Sequence, residues 1–173
     1  MLLGDSGVGK SSIAQRYCKN NFSDNYDVTI GGAYMQQNVT VQNGSIVKMH
    51  IWDTGGSDRF RSLVSMYYRD AVAALICYDV TNERSFESVS FWTNEMQQKN
   101  NMSNFVIALA ANKCDIDRSE WQINGERKTK MMQSLNLPED TINKETSAKT
   151  GDGVNDVFQQ IAERIVRLKH NDQ

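Results

Sequence analysis

The chain has 173 residues, enough for one domain of ordinary size and too few for a multidomain enzyme. With 39% hydrophobic residues, 23% charged residues and a single proline, its composition is that of a folded globular protein and excludes a disordered or collagen-like chain. Nineteen Lys plus Arg against twenty-one Asp plus Glu give a formal charge of -2, which offers no electrostatic footprint for gripping a nucleic-acid backbone. The three cysteines, Cys18, Cys77 and Cys114, lie far apart without a CxxC. That spacing argues against a disulfide framework or a zinc site and for a reducing compartment. No apolar run approaches the roughly 20 residues that span a bilayer, and Met1 to Leu3 is too short for a signal-peptide core, so a cytosolic chain is expected.

Along the chain there is no Pro/Ser-rich linker, low-complexity stretch or fixed-period repeat, and one domain over residues 1–173 is the simplest reading. Only three residues precede the first glycine turn, whereas a first buried strand has about 5, so a natural start further upstream is expected. From Ser11 to Asn20, Ile13, Ala14, Tyr17 and Cys18 fall at helical spacing and predict a helix with one buried stripe. Val39 and Val41 alternate with polar neighbours, Asn43-Gly44 signals a tight hairpin, and Val47, Met49 and Ile51 alternate again, predicting an antiparallel pair with one wet face. Ala73 to Tyr78 and Phe105 to Ala111 are continuous apolar runs, the pattern of parallel strands buried on both faces. Phe86, Val89, Trp92 and Met96 form one helical stripe. Val154, Val157, Phe158, Ile161, Ile165 and Leu168 form another. Strands alternating with such helices imply a doubly wound α/β fold. Residues 116–126 show no periodicity and read as an expanded surface loop, and the polar Asn143-Lys144 suits a strand at a sheet edge.

Gly4-Asp5-Ser6-Gly7-Val8-Gly9-Lys10-Ser11 satisfies G-x-x-x-x-G-K-[ST] between a strand stub and a helix, the context this phosphate-binding loop requires. Glycines let backbone N–H groups curl around a β-phosphate, and the helix N-terminus adds a partial positive charge of about +0.5. Lys10 neutralises β/γ oxygens and the Ser11 hydroxyl ligates Mg²⁺, with Ser6, Gly7, Val8, Gly9 and Ser12 completing the cradle. Asp53, at the end of a strand running from Ile46, is placed to hold the metal through a bound water. Gly56, in Asp53-Thr54-Gly55-Gly56, permits its N–H to approach a γ-phosphate and to shift when that phosphate leaves.

Asn112-Lys113-Cys114-Asp115 follows the second buried strand, and Thr146-Ser147-Ala148-Lys149 follows a later weak one, so both loops lie at the carboxyl edge of the sheet where such folds bind ligands. The Asp115 carboxylate can accept from the adjacent N1–H and exocyclic N–H of guanine; adenine presents no such pair. Lys113 can lay its stem along the base, Asn112 can tie the loops together, and the Ala148 N–H can meet O6.

These motifs together resemble the small GTPases of the Ras superfamily. Thr29-Ile30-Gly31, Ile51 to Gly56, Tyr67-Tyr68-Arg69 and Tyr78-Asp79-Val80-Thr81 resemble the Rab branch, and Ser65 to Ala71 with Asn82 to Phe86 and Val106 to Leu109 the endosomal Rabs in particular. The similarity runs over nearly the whole chain. It implies a single α/β domain with a mixed, mostly parallel six-stranded sheet, one antiparallel strand and helices on both faces. It also implies GTP and GDP as ligands with Mg²⁺, and a monomeric switch in vesicle and endosomal traffic that meets exchange factors, GAPs and effectors. On this pattern Thr29, nineteen positions after Lys10, closes over the γ-phosphate and ligates Mg²⁺, while Phe22 supports the guanine edge and Ser147 and Lys149 belong to the base pocket. Tyr34, Trp52 and Tyr67 would form the aromatic surface that meets effectors, although core packing is nearly as natural a reading for Trp52.

The sequence departs from that pattern where Rabs carry Ala-Gly-Gln. Here the residues are Gly55-Gly56-Ser57, and the glutamine that orients the attacking water is missing. Lys10, Thr29, Gly56 and Ser57 are therefore the candidate catalytic set, with slow intrinsic hydrolysis expected. A largely non-hydrolysing, GTP-bound interaction platform is the alternative; a P-loop kinase or ATPase is disfavoured by Asp115. The chain ends at Gln173 without a cysteine for prenylation, so membrane attachment is expected only with a lipidated tail.

Overall fold

A computed structural model describes residues 1–24, 32–55 and 70–171. In chain order the elements are β1 (Leu2–Leu3), α1 (Lys10–Lys19), β2 (Gly32–Thr40), β3 (Ile46–Thr54), β4 (Ala73–Asp79), α2 (Glu83–Lys99), β5 (Val106–Asn112), α3 (Gly125–Ser134), β6 (Ile142–Glu145) and α4 (Val154–Asn171). The six strands form one sheet in the order β2-β3-β1-β4-β5-β6. β2 runs antiparallel to β3, and every other neighbouring pair is parallel.

Side-chain parity explains why the β4 and β5 runs are apolar throughout. Leu75 and Cys77 face a core built with Ile13 and Ala14 of α1 and Val157, Phe158 and Ile161 of α4. Ala74, Ile76 and Tyr78 face the opposite core, which Phe86, Val89, Trp92 and Met96 of α2 fill. Those four α2 side chains are 3% exposed or less, and burying each contributes about 1.5–3 kcal/mol. Asn82 starts α2 by accepting a 3.1 Å bond from the Ser85 N–H. The β2–β3 hairpin closes at Gly44, whose φ of +81° is the conformation that the Asn-Gly pair signals.

Three expectations shift. The first helix starts one residue earlier than predicted, at Lys10, and Asn20 is its left-handed C-cap rather than its last turn. Residues 116–126 are not a featureless loop. Asp117 caps a 3₁₀ turn at Arg118–Glu120, the Trp121 indole donates to the Ile116 carbonyl at 2.9 Å, Ile123 is buried, and α3 begins at Gly125. α3 was not foreseen because none of its residues is fully buried; Met131 and Met132 only lean on the core. β6 lies at the sheet edge, as its polar residues suggest. Among the described residues no helix is long and apolar enough to cross a membrane.

Candidate functional site

The loop from Gly4 to Ser11 joins the carboxyl end of β1 to α1. Gly9 is the N-cap of α1 at φ +95°, and no side chain caps the helix, so its first N–H groups face the loop. A Cβ at Gly9 would drive into the Asn112 amide, so only glycine fits there. Lys10 is 5% exposed, and its Nζ donates to the Gly4 carbonyl at 2.8 Å and the Asp5 carbonyl at 2.9 Å, curling the ammonium back over the loop. Burial lowers its pKa, opposed by neighbouring groups that include Asp53 and Asp5. Ser6 and Gly7 form the exposed apex, Val8 is buried, and Ser12 is half-buried in the first turn of the helix. Asp5 is tied to α2, accepting from the Ser88 hydroxyl at 2.7 Å.

Asp53 sits near the end of β3, 2% exposed. Burial pushes its carboxyl pKa up, against a hydrogen bond from Ser11 and the Lys10 charge. Its Oδ1 is buried with no hydrogen-bond partner among the described residues. An orphaned carboxylate oxygen beside a serine hydroxyl suits a hard cation that takes oxygen ligands. The Thr54 hydroxyl fastens this strand end to the Leu2 carbonyl at 2.7 Å.

The second half of the site hangs on Asn112, the last residue of β5 and 1% exposed. Its amide donates to the Val8 carbonyl at 2.8 Å, while its Oδ1 accepts from the Ala148 N–H at 3.3 Å and the Thr146 hydroxyl at 3.4 Å. One side chain thus ties the phosphate loop to both carboxyl-edge loops. Asp115 Oδ1 accepts from the Ser147 hydroxyl at 2.5 Å, and the Cys114 N–H bonds the Thr146 carbonyl at 3.1 Å. Lys113, at φ +65°, places its ammonium 2.6 Å from Asp79 at the end of β4. Phe22 is partly buried against the α1–α4 core.

Sequence reasoning missed Arg16. From the outward turn of α1 it donates to the Ala148 carbonyl at 2.8 Å and the Lys149 carbonyl at 2.7 Å, clamping the last base loop. No local signal marks a contact across 132 positions. Tyr34 and Trp52 face each other across β2 and β3 with ring centroids 5.0 Å apart, 46% and 37% exposed. Core packing of Trp52 is therefore ruled out by strand parity. Thr29, Gly56, Ser57 and Tyr67 lie outside the described residues.

The family model described as "Ras family" matches residues 1–167. Ras-related protein Rab-5B of Plasmodium falciparum is 44% identical over 165 residues, covering 95% of this chain and 76% of the relative. Ras-related protein RABF2a of Arabidopsis thaliana is 42% identical over 169 residues, covering 98% and 81%. GTP-binding protein YPT53 of Saccharomyces cerevisiae is 40% identical over 166 residues, covering 95% and 74%. The chain belongs to the Ras family, in its Rab branch. The strand order, the uncapped α1 behind a glycine loop and the Asn112 knot are the geometric content of that membership in this Rab domain.

Proposed function

We propose that this chain is a GTP-dependent switch of vesicle and endosomal membrane traffic that binds GTP and GDP with Mg²⁺ and hydrolyses GTP slowly unless a GAP assists. The observation that carries the reading is the Asn112 interlock, because it makes one rigid site of a phosphate loop and a purine-reading loop. The first turn of α1, which no side chain caps, and the Lys10 ammonium receive phosphate oxygens, an arrangement that favours anions at a helix N-terminus. Ser11 and Asp53, joined by Thr29, would hold Mg²⁺, which when bound supplies neutralisation of charge on the β and γ oxygens. The orphaned Asp53 oxygen supports that assignment.

Asp115, oriented by Ser147, accepts the two adjacent N–H groups of guanine, and the Lys113 stem covers the base while Asp79 anchors its charge. The Ala148 N–H, held by a long 3.3 Å bond to Asn112, turns to O6. Phe22 and Lys149 border the base. A pocket built on such acceptors rejects a purine lacking the donors by roughly 10⁴-fold.

By its place in the sequence Gly56 would offer its N–H to the γ-phosphate, and Ser57 takes the sequence position at which Rabs carry the water-orienting glutamine. A serine hydroxyl is too short to accept from water and donate to phosphate together, and phosphoryl transfer depends on that positioning. A GAP that inserts an arginine and a glutamine would restore turnover, an arginine finger alone contributing about 10³ to 10⁵ in rate. Ser57 also favours a second reading, a GTP-bound interaction platform without productive turnover. The chain acts as a monomer through exchange factors, GAPs and effectors that contact Tyr34, Trp52 and Tyr67, and it would reach membranes only where a prenylated tail is present. Titration with GTP, GDP and ATP, followed by hydrolysis with and without a Rab-type GAP, tests both readings. Preference for guanine nucleotides with GAP-stimulated turnover is the expected result. Equal uptake of ATP overturns the assignment, and no turnover with GAP selects the platform.

A further inference from the structure

The phosphate loop is fixed at both ends and bare at its apex. At Gly4, where φ is +133°, an added Cβ would lie 2.2 Å from the Cys77 carbonyl oxygen, so the loop leaves β1 pressed flat against β4. Its second half is tied by the Asn112 amide on the Val8 carbonyl. Between them Ser6 and Gly7 are exposed, and a Cβ at Gly7 would meet no described atom within 4 Å. From the first half of the loop the Asp5 side chain reaches outward. Its Oδ2 accepts from the Ser88 hydroxyl at 2.7 Å, across 83 positions of sequence. Its Oδ1 is buried with no hydrogen-bond partner among the described residues.

Ser88 is a fixed post. It stands in the second turn of α2, whose Phe86, Val89, Trp92 and Met96 are locked in one core. One turn earlier the Ser85 hydroxyl accepts from the Asp79 N–H at 3.0 Å, bolting the start of the helix to the end of β4. Asp5 stands in a glycine-flanked loop, so the helix positions the loop rather than the reverse. The Ser88 hydroxyl has one proton and two acceptors in reach, Asp5 Oδ2 at 2.7 Å and the Arg84 carbonyl at 3.1 Å. The bond to the carboxylate is the stronger, which closes the hydroxyl on the loop. What the post holds in turn is Lys10. The ammonium donates to the Gly4 and Asp5 carbonyls at 2.8 and 2.9 Å, so the peptide of residue 5 helps set where the positive charge sits.

We infer that Ser88 is a positioning residue: by holding Asp5 it keeps the phosphate loop and the Lys10 ammonium in their phosphate-receiving arrangement and slows release of the bound nucleotide. The inference rests on the guanine-nucleotide reading above and adds to it the residue through which α2 grips the loop. Its effect belongs to the phosphate end of the ligand. Base reading hangs on Asp115 and Ser147, on separate loops, and is indifferent to Ser88.

The test follows release of a fluorescent GDP from the full chain with Mg²⁺ present, with the melting temperature measured for every variant. Ser88→Ala should speed release about tenfold, the effect of losing one hydrogen bond to a charged group. Ser88→Thr, which keeps the hydroxyl, should stay within about twofold of wild type. Ser88→Asp, which sets a second carboxylate against Asp5, should release faster than the alanine variant. On an Asp5→Ala background, Ser88→Ala should add less than about twofold, since Ser88 then has nothing left to act through. The phosphorus NMR resonance of the bound β-phosphate should move in Ser88→Ala while the preference for guanosine over adenosine nucleotides stays as in wild type; lost helix packing alone would lower the melting temperature without moving that resonance. Release from Ser88→Ala at the wild-type rate, an unmoved phosphate resonance, or an undiminished effect of Ser88→Ala on the Asp5→Ala background overturns the inference. A chain that binds no guanine nucleotide ends the switch reading and this inference with it, whereas one that binds GDP and releases it unchanged in Ser88→Ala ends this inference alone.

Discussion

Replacing Asn112 tests whether the two halves of the site are one unit. Asn112→Ala removes a 2.8 Å bond to the Val8 carbonyl and two longer bonds, from Ala148 and Thr146. The short bond contributes about 1 kcal/mol and the long ones about 0.5 kcal/mol each, and stranding a buried carbonyl adds at least about 1 kcal/mol, so the loss is about 3 kcal/mol. For a chain of this size each kcal/mol shifts the melting temperature by about 2–4 °C, so the nucleotide-free protein should melt about 6–12 °C lower. Because the interlock holds the ligand-ready arrangement, GDP should bind about 100-fold more weakly, the same energy at 1.4 kcal/mol per decade. Asn112→Asp is the sharper arm. It keeps the volume and the acceptor but turns an oxygen toward the Val8 carbonyl, so it should lose as much as the alanine variant. Calorimetric melts and fluorescent-GDP titrations read both quantities. An aspartate variant that melts within 2 °C of wild type with unchanged GDP affinity would refute the interlock.

Other outcomes follow from neighbouring contacts. Asp115→Ala should abolish the preference for guanosine over adenosine nucleotides, a loss of about 10⁴ in the affinity ratio; a retained preference would place base reading elsewhere. Ser57→Gln should raise single-turnover GTP hydrolysis by at least about tenfold, and no rise would defeat the account of slow turnover. Arg16→Ala, which frees the Ala148 and Lys149 carbonyls, should speed GDP release several-fold while leaving phosphate-loop contacts intact; an unchanged off-rate would show the clamp to be incidental. Burial pushes the Cys77 thiol up to about 12, so at pH 8 it should resist a disulfide reagent until the chain unfolds, while the partly exposed Cys18 and Cys114 react in the folded protein. Labelling of Cys77 at the same rate would contradict its packing.

What the linear order of residues determined here is chiefly local. Phosphate cradling needs glycines, a lysine and a hydroxyl within one turn, so Gly4 to Ser11 declares itself; hairpin chemistry declares Asn43-Gly44; and two-sided burial writes β4 and β5 as unbroken apolar runs. Where burial is partial the pattern fades, which is why α3, leaning on the core through Met131 and Met132, left no readable stripe. Tertiary structure alone decided the long-range contacts. Arg16 reaches the Ala148 carbonyl, Ser88 holds Asp5, and the parity of an antiparallel pair turns Trp52 outward beside Tyr34. Nothing in a residue's neighbours along the chain encodes such meetings, because they depend on how separate elements are brought side by side by the packing of the sheet between its two cores.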